Sequence, residues 1–175
     1  MHSAIACGMT LVLIPRFDEE PVLDAIARHR ATLFEGVPTM YMRLLNHASI
    51  GRAELASLRR CTVGGQTMPV ATMEEVERRF GCPLLELWGM TELAGLGTTH
   101  PHNGPRRLGS IGVPMPLYEA RIGHLDDTER SLPCDEVGEL LVRGPSVMDG
   151  YLGNVVATRE AIDAELRLSA LVVAL

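Results

Sequence analysis

Four short apolar runs, each stopped by glycine or proline, alternate with segments of helical period. This alternation constrains the fold more than any other feature of the chain. The runs are MTLVLIP (9–15), ATLFEGVP (31–38), LRRCTVGG (58–65) and PLLELWG (83–89). Each has the length of a strand and is bounded by turn residues. Between them, DEEPVLDAIARHR (18–30) opens with acids and Pro21, a helix start, and repeats Val22 with Ile26 and Leu23 with Ala27. TMYMRLLNHA (39–48) predicts a second helix with Thr39 as its cap. MPVATMEEVERRFG (68–81) places Val76 and Phe80 on one face and stops at Gly81. Strands alternating with helices predict an α/β fold: a parallel sheet with crossover helices. Such sheets bind ligands beyond the carboxyl ends of their strands. That rule singles out Gly64 and Gly65 after the third run, and Thr91 and Glu92 after the fourth.

The pattern changes near residue 105. GSIGVPMPLYEARIGHL (109–125) and EVGELLVRGPSVMDGYL (136–152) hold short alternating segments broken by Gly and Pro. They predict a small β-barrel-like subdomain. The acidic DDTERSLPCDE (126–136) between them is expected to be a turn-rich connection. The expected division is therefore an α/β part over 1–105, a β subdomain over 106–163 and an atypical apolar tail over 164–175.

A net charge of −6 argues against nucleic acid as a partner, because binding a phosphate backbone needs clustered positive charge. All sixteen basic residues are arginine, so no chemistry of this chain uses a lysine. Cys7, Cys61, Cys82 and Cys134 form no CxxC motif and are expected to be free thiols in a reducing cytoplasm. The opening MHSAIACGMTLVLIP lacks the charged start of a secretory signal. No apolar run approaches the roughly 20 residues of a membrane span.

Three segments can carry chemistry. In TVGGQTMP (62–69), paired glycines after a strand let the backbone approach a flat or anionic ligand, or simply turn the chain into the next helix. In LWGMTE (87–92), Trp88 can offer an aromatic face, Thr91 a hydrogen bond to phosphate and Glu92 a ligand for Mg²⁺. The same Thr91 and Glu92 equally suit a helix N-terminus. GELLVRGPSVMDGYLGN (138–154) suits a half-buried strand and a loop. His100 and His102 flank a proline without a third ligand nearby, which fits a solvated loop. Ser110 lies outside the spacing of a nucleophile elbow.

Taken in order, GGQTMP, LWGMTE, GSIGVPMP and GELLVRGPSVMDGYLGN resemble the AMP-forming adenylate-forming enzymes. That superfamily holds acyl-CoA synthetases, aryl-CoA ligases, luciferases and peptide-synthetase adenylation domains. The resemblance runs from residue 1 to about 163 and is nearest to ligases of fatty or aromatic acids. It implies ATP, a carboxylic acid and coenzyme A as substrates, with an acyl-adenylate between them and AMP as a product. It implies that Gly64, Gly65 and Gln66 line the adenine and acyl pocket and that Trp88 stands beside adenine. Thr91 would contact the α-phosphate and Glu92 would hold Mg²⁺. Gly89 and Met90, with Leu93, Ala94 and Gly95, would shape the pocket near the reacting carboxylate.

The same resemblance implies an internal piece of the enzyme. The family's phosphate loop with its lysine would precede residue 1. LRLSAL (166–171) would stand for the segment that carries the ribose-binding aspartate, with Ala170 in its place. The C-terminal domain with its catalytic lysine would follow. The expectation is a ligase by descent, inactive as this chain alone. The alternative is a non-catalytic nucleotide-binding module that completes a split enzyme, with a partner chain supplying the phosphate loop.

Overall fold

The computed structural model describes residues 2–101, 103–163 and 168–170. The chain forms two compact units, Met1–Leu85 and Glu86–Leu175.

In the first unit a short helix α1 (His2–Ala6) precedes α2 (Glu19–His29), β1 (Leu33–Gly36), α3 (Pro38–Asn46), β2 (Arg60–Gly64) and α4 (Val70–Phe80). Strand β3 (Leu84–Met90) begins here and runs into the second unit. β1 and β2 are parallel, in register from Leu33 with Arg60 to Gly36 with Val63, and α3 is the helix that joins them. α2 forms where acids and bases match its dipole: Glu19 and Glu20 in the first turn, Arg28 and His29 in the last. Pro21 is tolerated there because N–H groups of the first turn have no partner inside the helix. Val22, Leu23 and Ile26 form its buried face. α4 buries Met73, Val76 and Phe80 and stops at Gly81, whose φ of +69° is the left-handed cap that glycine takes without strain. Beneath these helices Tyr41 is fully buried. Its ring sits 5.3 Å from that of Phe34 and 5.8 Å from that of Phe80. Its hydroxyl donates to the Thr62 carbonyl at 2.8 Å, so the buried phenol is satisfied and α3 is tied to β2.

Two expectations fail in this unit. MTLVLIP forms no strand: residues 9–14 carry no regular structure, and Met9, Leu11, Val12 and Leu13 are exposed. A strand needs a neighbour for its backbone groups, and no described strand pairs with this run. Thr39 is not the cap of α3. The cap is Val37 and Pro38 takes the first helical turn, where its missing N–H costs nothing.

In the second unit β3 pairs antiparallel with β4 (Gly95–Thr99), and β4 with β5 (Val113–Pro114). Strands β6 (Glu119–His124), β7 (Asp127–Ser131), β8 (Glu139–Arg143) and β9 (Leu168–Ala170) form an antiparallel sheet in the order β7-β6-β8-β9. Helix α5 (Val155–Ala161) lies between β8 and β9 in the chain. Leu93, Leu140, Val142 and Leu168 form a buried cluster of this unit, and Trp88, Met90, Tyr118 and Ile122 pack around them. The acidic segment expected to be a connection is in part a strand. β7 is almost wholly exposed and charged, and it forms because β6 offers a free edge. Of the tail, 164–167 and 171–175 lie outside the described residues, while Leu168–Ala170 pairs with β8.

Candidate active site

β2 ends at Gly64. The exposed Gly65 and Gln66 then turn the chain toward α4, with Gly65 at a φ of +82°. The three residues form one open turn in the first unit.

Trp88, Gly89, Met90, Thr91 and Glu92 form one continuous piece of the second unit. The pairing of β3 with β4 slips between Trp88 and Gly89, so the strand bulges there. The bulge is possible only because residue 89 is glycine. A Cβ on it would lie 1.7 Å from the Gly95 carbonyl oxygen and 2.8 Å from the Leu96 Cα, both backbone atoms. Beyond the bulge Thr91–Leu93 make a single 3-10 turn. The Ala94 N–H bonds back to the Thr91 carbonyl at 3.0 Å, and Ala94 takes the left-handed conformation. Leu93 points into the core at 1 % exposure, which anchors the turn and leaves Thr91 exposed and Glu92 half-buried. The Trp88 ring lies over Gly97, where an added Cβ would meet it at 2.8 Å.

The loop after β8 latches this turn at three points. The Ser146 hydroxyl donates to the Leu93 carbonyl at 2.7 Å, and the Met148 N–H donates to the Glu92 carbonyl at 2.8 Å. The Tyr151 hydroxyl donates to Glu92 Oε1 at 2.7 Å. That bond, with the negative charge of Glu92, raises the Tyr151 pKa. Tyr151 is itself placed by α5: its N–H donates to Thr158 Oγ1 at 2.9 Å, and Asn154 caps the helix by accepting the Ala157 N–H.

The donor set fits a magnesium ion bound with phosphate. Glu92 Oε2 makes no hydrogen bond among the described residues, and neither does the Thr91 hydroxyl. A half-buried carboxylate with a free oxygen beside an exposed hydroxyl suits an ion that takes one or two carboxylates and fills its other positions with water and phosphate.

A second polar cluster lies at the start of β3. Glu86 Oε2 accepts the Gly109 N–H at 2.8 Å and lies 3.9 Å from His100 Nε2. Burial raises the Glu86 pKa. His100 does not sit in a solvated loop: it is 6 % exposed, and its Nε2 bonds to the Ser110 carbonyl at 2.8 Å. His102 lies outside the described residues.

The AMP-binding enzyme family matches residues 1–152. The chain belongs to that family. Relatives include the long-chain-fatty-acid–CoA ligase of Bacillus subtilis, 34 % identical over 151 residues, which are 86 % of this chain and 27 % of the ligase. The indoleacetate–CoA ligase of Aromatoleum aromaticum is 35 % identical over 89 % of this chain and 30 % of its own length. ATP-bound MatB from Rhodopseudomonas palustris superposes with a TM-score of 0.87 at 27 % identity, over 97 % of this chain and 33 % of MatB. The anthranilate–CoA ligase AuaEII, in complex with anthranoyl-AMP, gives 0.84 at 25 % identity over 93 % of this chain and 31 % of its own. The chain thus spans about a third or less of the length of these relatives.

Within this AMP-binding fold the sequence placed Trp88 to Glu92 in one segment, and the structure keeps them there. Sequence reasoning missed Tyr151 and Ser146, which hold the turn. Their signal was the GPSVMDGY segment, which the pattern alone assigned to a structural loop. No helix among the described residues is long and apolar enough to cross a membrane.

Proposed function

We propose that this chain carries the adenylate-binding segments of an ATP-dependent, AMP-forming acyl-CoA ligase for fatty or aromatic carboxylic acids. In that reaction a carboxylate oxygen attacks the α-phosphorus of ATP, the bond to the β-phosphate oxygen breaks, and pyrophosphate leaves. The thiol of coenzyme A then attacks the acyl carbonyl and displaces AMP. Gly64, Gly65 and Gln66 would line the adenine and acyl pocket, where an open backbone turn admits a flat ligand. Trp88 would stand beside adenine, and Gly89 and Met90 would shape the pocket. Thr91 would donate its hydroxyl to the α-phosphate.

Glu92 would hold Mg²⁺ through its free Oε2, with the Tyr151 hydroxyl fixing the carboxylate at Oε1. The ion would neutralise charge on the phosphate oxygens. What this chain supplies is position: a bulged strand and a latched turn that hold Thr91 and Glu92 before substrate arrives. The latch on Glu92 is the observation that carries this reading, because it fixes a carboxylate while leaving one oxygen free. ATP-bound and anthranoyl-AMP-bound relatives of this fold support it. The ligase chemistry also needs a cation at the phosphates, and this lysine-free chain would obtain it from elsewhere in the enzyme. By itself the chain is expected to bind adenylate without turnover.

The test is calorimetric binding of non-hydrolysable fatty-acyl and aryl adenylate analogues to the chain, with and without Mg²⁺. Binding that Mg²⁺ strengthens and that Trp88→Ala and Glu92→Ala each weaken supports the proposal. A folded chain that binds neither analogue overturns it.

A further inference from the structure

Cys61 and Cys82 are buried, whereas Cys7 and Cys134 are exposed. The two buried sulfurs lie 3.6 Å apart. Cys61 is inside β2 and has no exposure; Cys82 follows Gly81, the stop of α4, and is 6 % exposed. The Cys61 N–H donates to the Pro83 carbonyl at 2.8 Å, so a backbone hydrogen bond fixes the two chain segments beside each other. The sulfurs therefore face one another across neighbouring backbones. A disulfide would bring them from 3.6 Å to roughly 2.0 Å.

We propose that Cys61 and Cys82 are a dithiol site at which a hydroperoxide closes an intrachain disulfide. The bond would pin β2 to the start of β3, three residues before the Gly64 turn. The two thiols are not equivalent. The hydrogen bond between the two sulfurs pushes the Cys61 pKa up together with burial and holds that of Cys82 down. Arg60 adds to the lowering at Cys82. Cys82 retains 6 % exposure where Cys61 has none, so a peroxide reaches Cys82 first: Cys82 is the attacking sulfur and Cys61 the resolving one.

In the first step the Cys82 thiolate attacks one peroxide oxygen and the O–O bond breaks. Cys82 becomes a sulfenic acid, and the leaving hydroxide takes a proton to become water. Cys61 then attacks the Cys82 sulfur. The S–O bond breaks, hydroxide leaves with the Cys61 proton as a second water, and the S–S bond forms. Two thiols and one hydrogen peroxide give one disulfide and two waters.

The test uses the full chain with Cys7→Ser and Cys134→Ser, so that only the buried pair remains. It is treated with hydrogen peroxide, alkylated and digested without reduction, and the peptides are read by mass spectrometry. The expected result is loss of both alkylatable thiols, a Cys61–Cys82 linked peptide, and full recovery with dithiothreitol. A further Cys61→Ser change should leave Cys82 as a sulfenic acid that dimedone traps, and Cys82→Ser should leave Cys61 untouched at the same dose. If those variants do not fold, the parent decides. Its pair should close at least about tenfold faster folded than in urea, because the fold holds the sulfurs in place. Both thiols surviving, Cys82 reaching sulfinic acid with no linked peptide, or equal rates folded and unfolded would each overturn the proposal.

Discussion

Replacing Gly89 by alanine should collapse the second unit, and the structure fixes the scale. The added Cβ would lie 1.7 Å from the Gly95 oxygen, 2.6 Å from the Gly95 carbonyl carbon and 2.8 Å from the Leu96 Cα. Non-bonded carbon contacts are comfortable at roughly 3.5–4.0 Å. All three obstacles are backbone, so no rotamer relieves them. The β3–β4 pairing must open, with loss of the Met90–Gly95 register that starts the Thr91–Leu93 turn. Overpacking against movable side chains costs about 1–3 kcal/mol, so this change should cost more than about 3 kcal/mol. Gly81→Ala is the control in the first unit. Its Cβ meets nothing within 4 Å, and only the left-handed φ of +69° opposes it, at about 1–2 kcal/mol. Trp88 is the single tryptophan and sits beside the bulge, so its fluorescence in urea reads the unfolding of the second unit. The control should shift that transition by no more than its own strain of about 1–2 kcal/mol, and Gly89→Ala should abolish it or shift it far toward low urea. A Gly89→Ala chain within about 1 kcal/mol of the parent would refute the packing argument.

Other outcomes follow from the same contacts. Tyr151→Phe removes the hydroxyl that holds Glu92 and should weaken Mg²⁺-dependent binding of an adenylate analogue about threefold to tenfold in calorimetry. Gly97→Ala puts a Cβ 2.7 Å from Leu93 and 2.8 Å from Trp88, and should cost about 1–3 kcal/mol with a shifted Trp88 emission maximum. Because burial raises the Glu86 pKa above 4.5, the folded state binds its proton more tightly than the unfolded state does. Its stabilising share is therefore whole below pH 4.5 and is lost as pH rises through the folded value. The stability of the parent relative to Glu86→Gln, followed by urea titration, should fall over that window.

The alternation of apolar runs with helical segments was enough to place β1 to β3 and α2 to α4, because period and stop residues are local properties. MTLVLIP misled for the same reason: its composition is that of a strand, but a strand exists only with a ladder partner. Thr39 was misjudged because a proline at the first helical position moves the cap back two residues, to Val37. β7 was hidden because an edge strand needs no apolar face. In the candidate site, Trp88 to Glu92 are consecutive, so the sequence alone gathers them. The Tyr151 bond to Glu92 spans 59 positions, and the approach of Cys61 to Cys82 spans 21. Such encounters depend on tertiary packing, which no local pattern carries.

The central claim is that the Trp88–Glu92 segment, with Glu92 held by Tyr151, binds an acyl-adenylate together with Mg²⁺. Amide chemical shifts of the isotope-labelled chain, followed as an acyl-adenylate analogue and Mg²⁺ are added, test it most directly. The account predicts shifts concentrated at Trp88 to Glu92 and at Tyr151, with those near Glu92 lost in Glu92→Ala. Shifts confined elsewhere, or no saturating response, would contradict it.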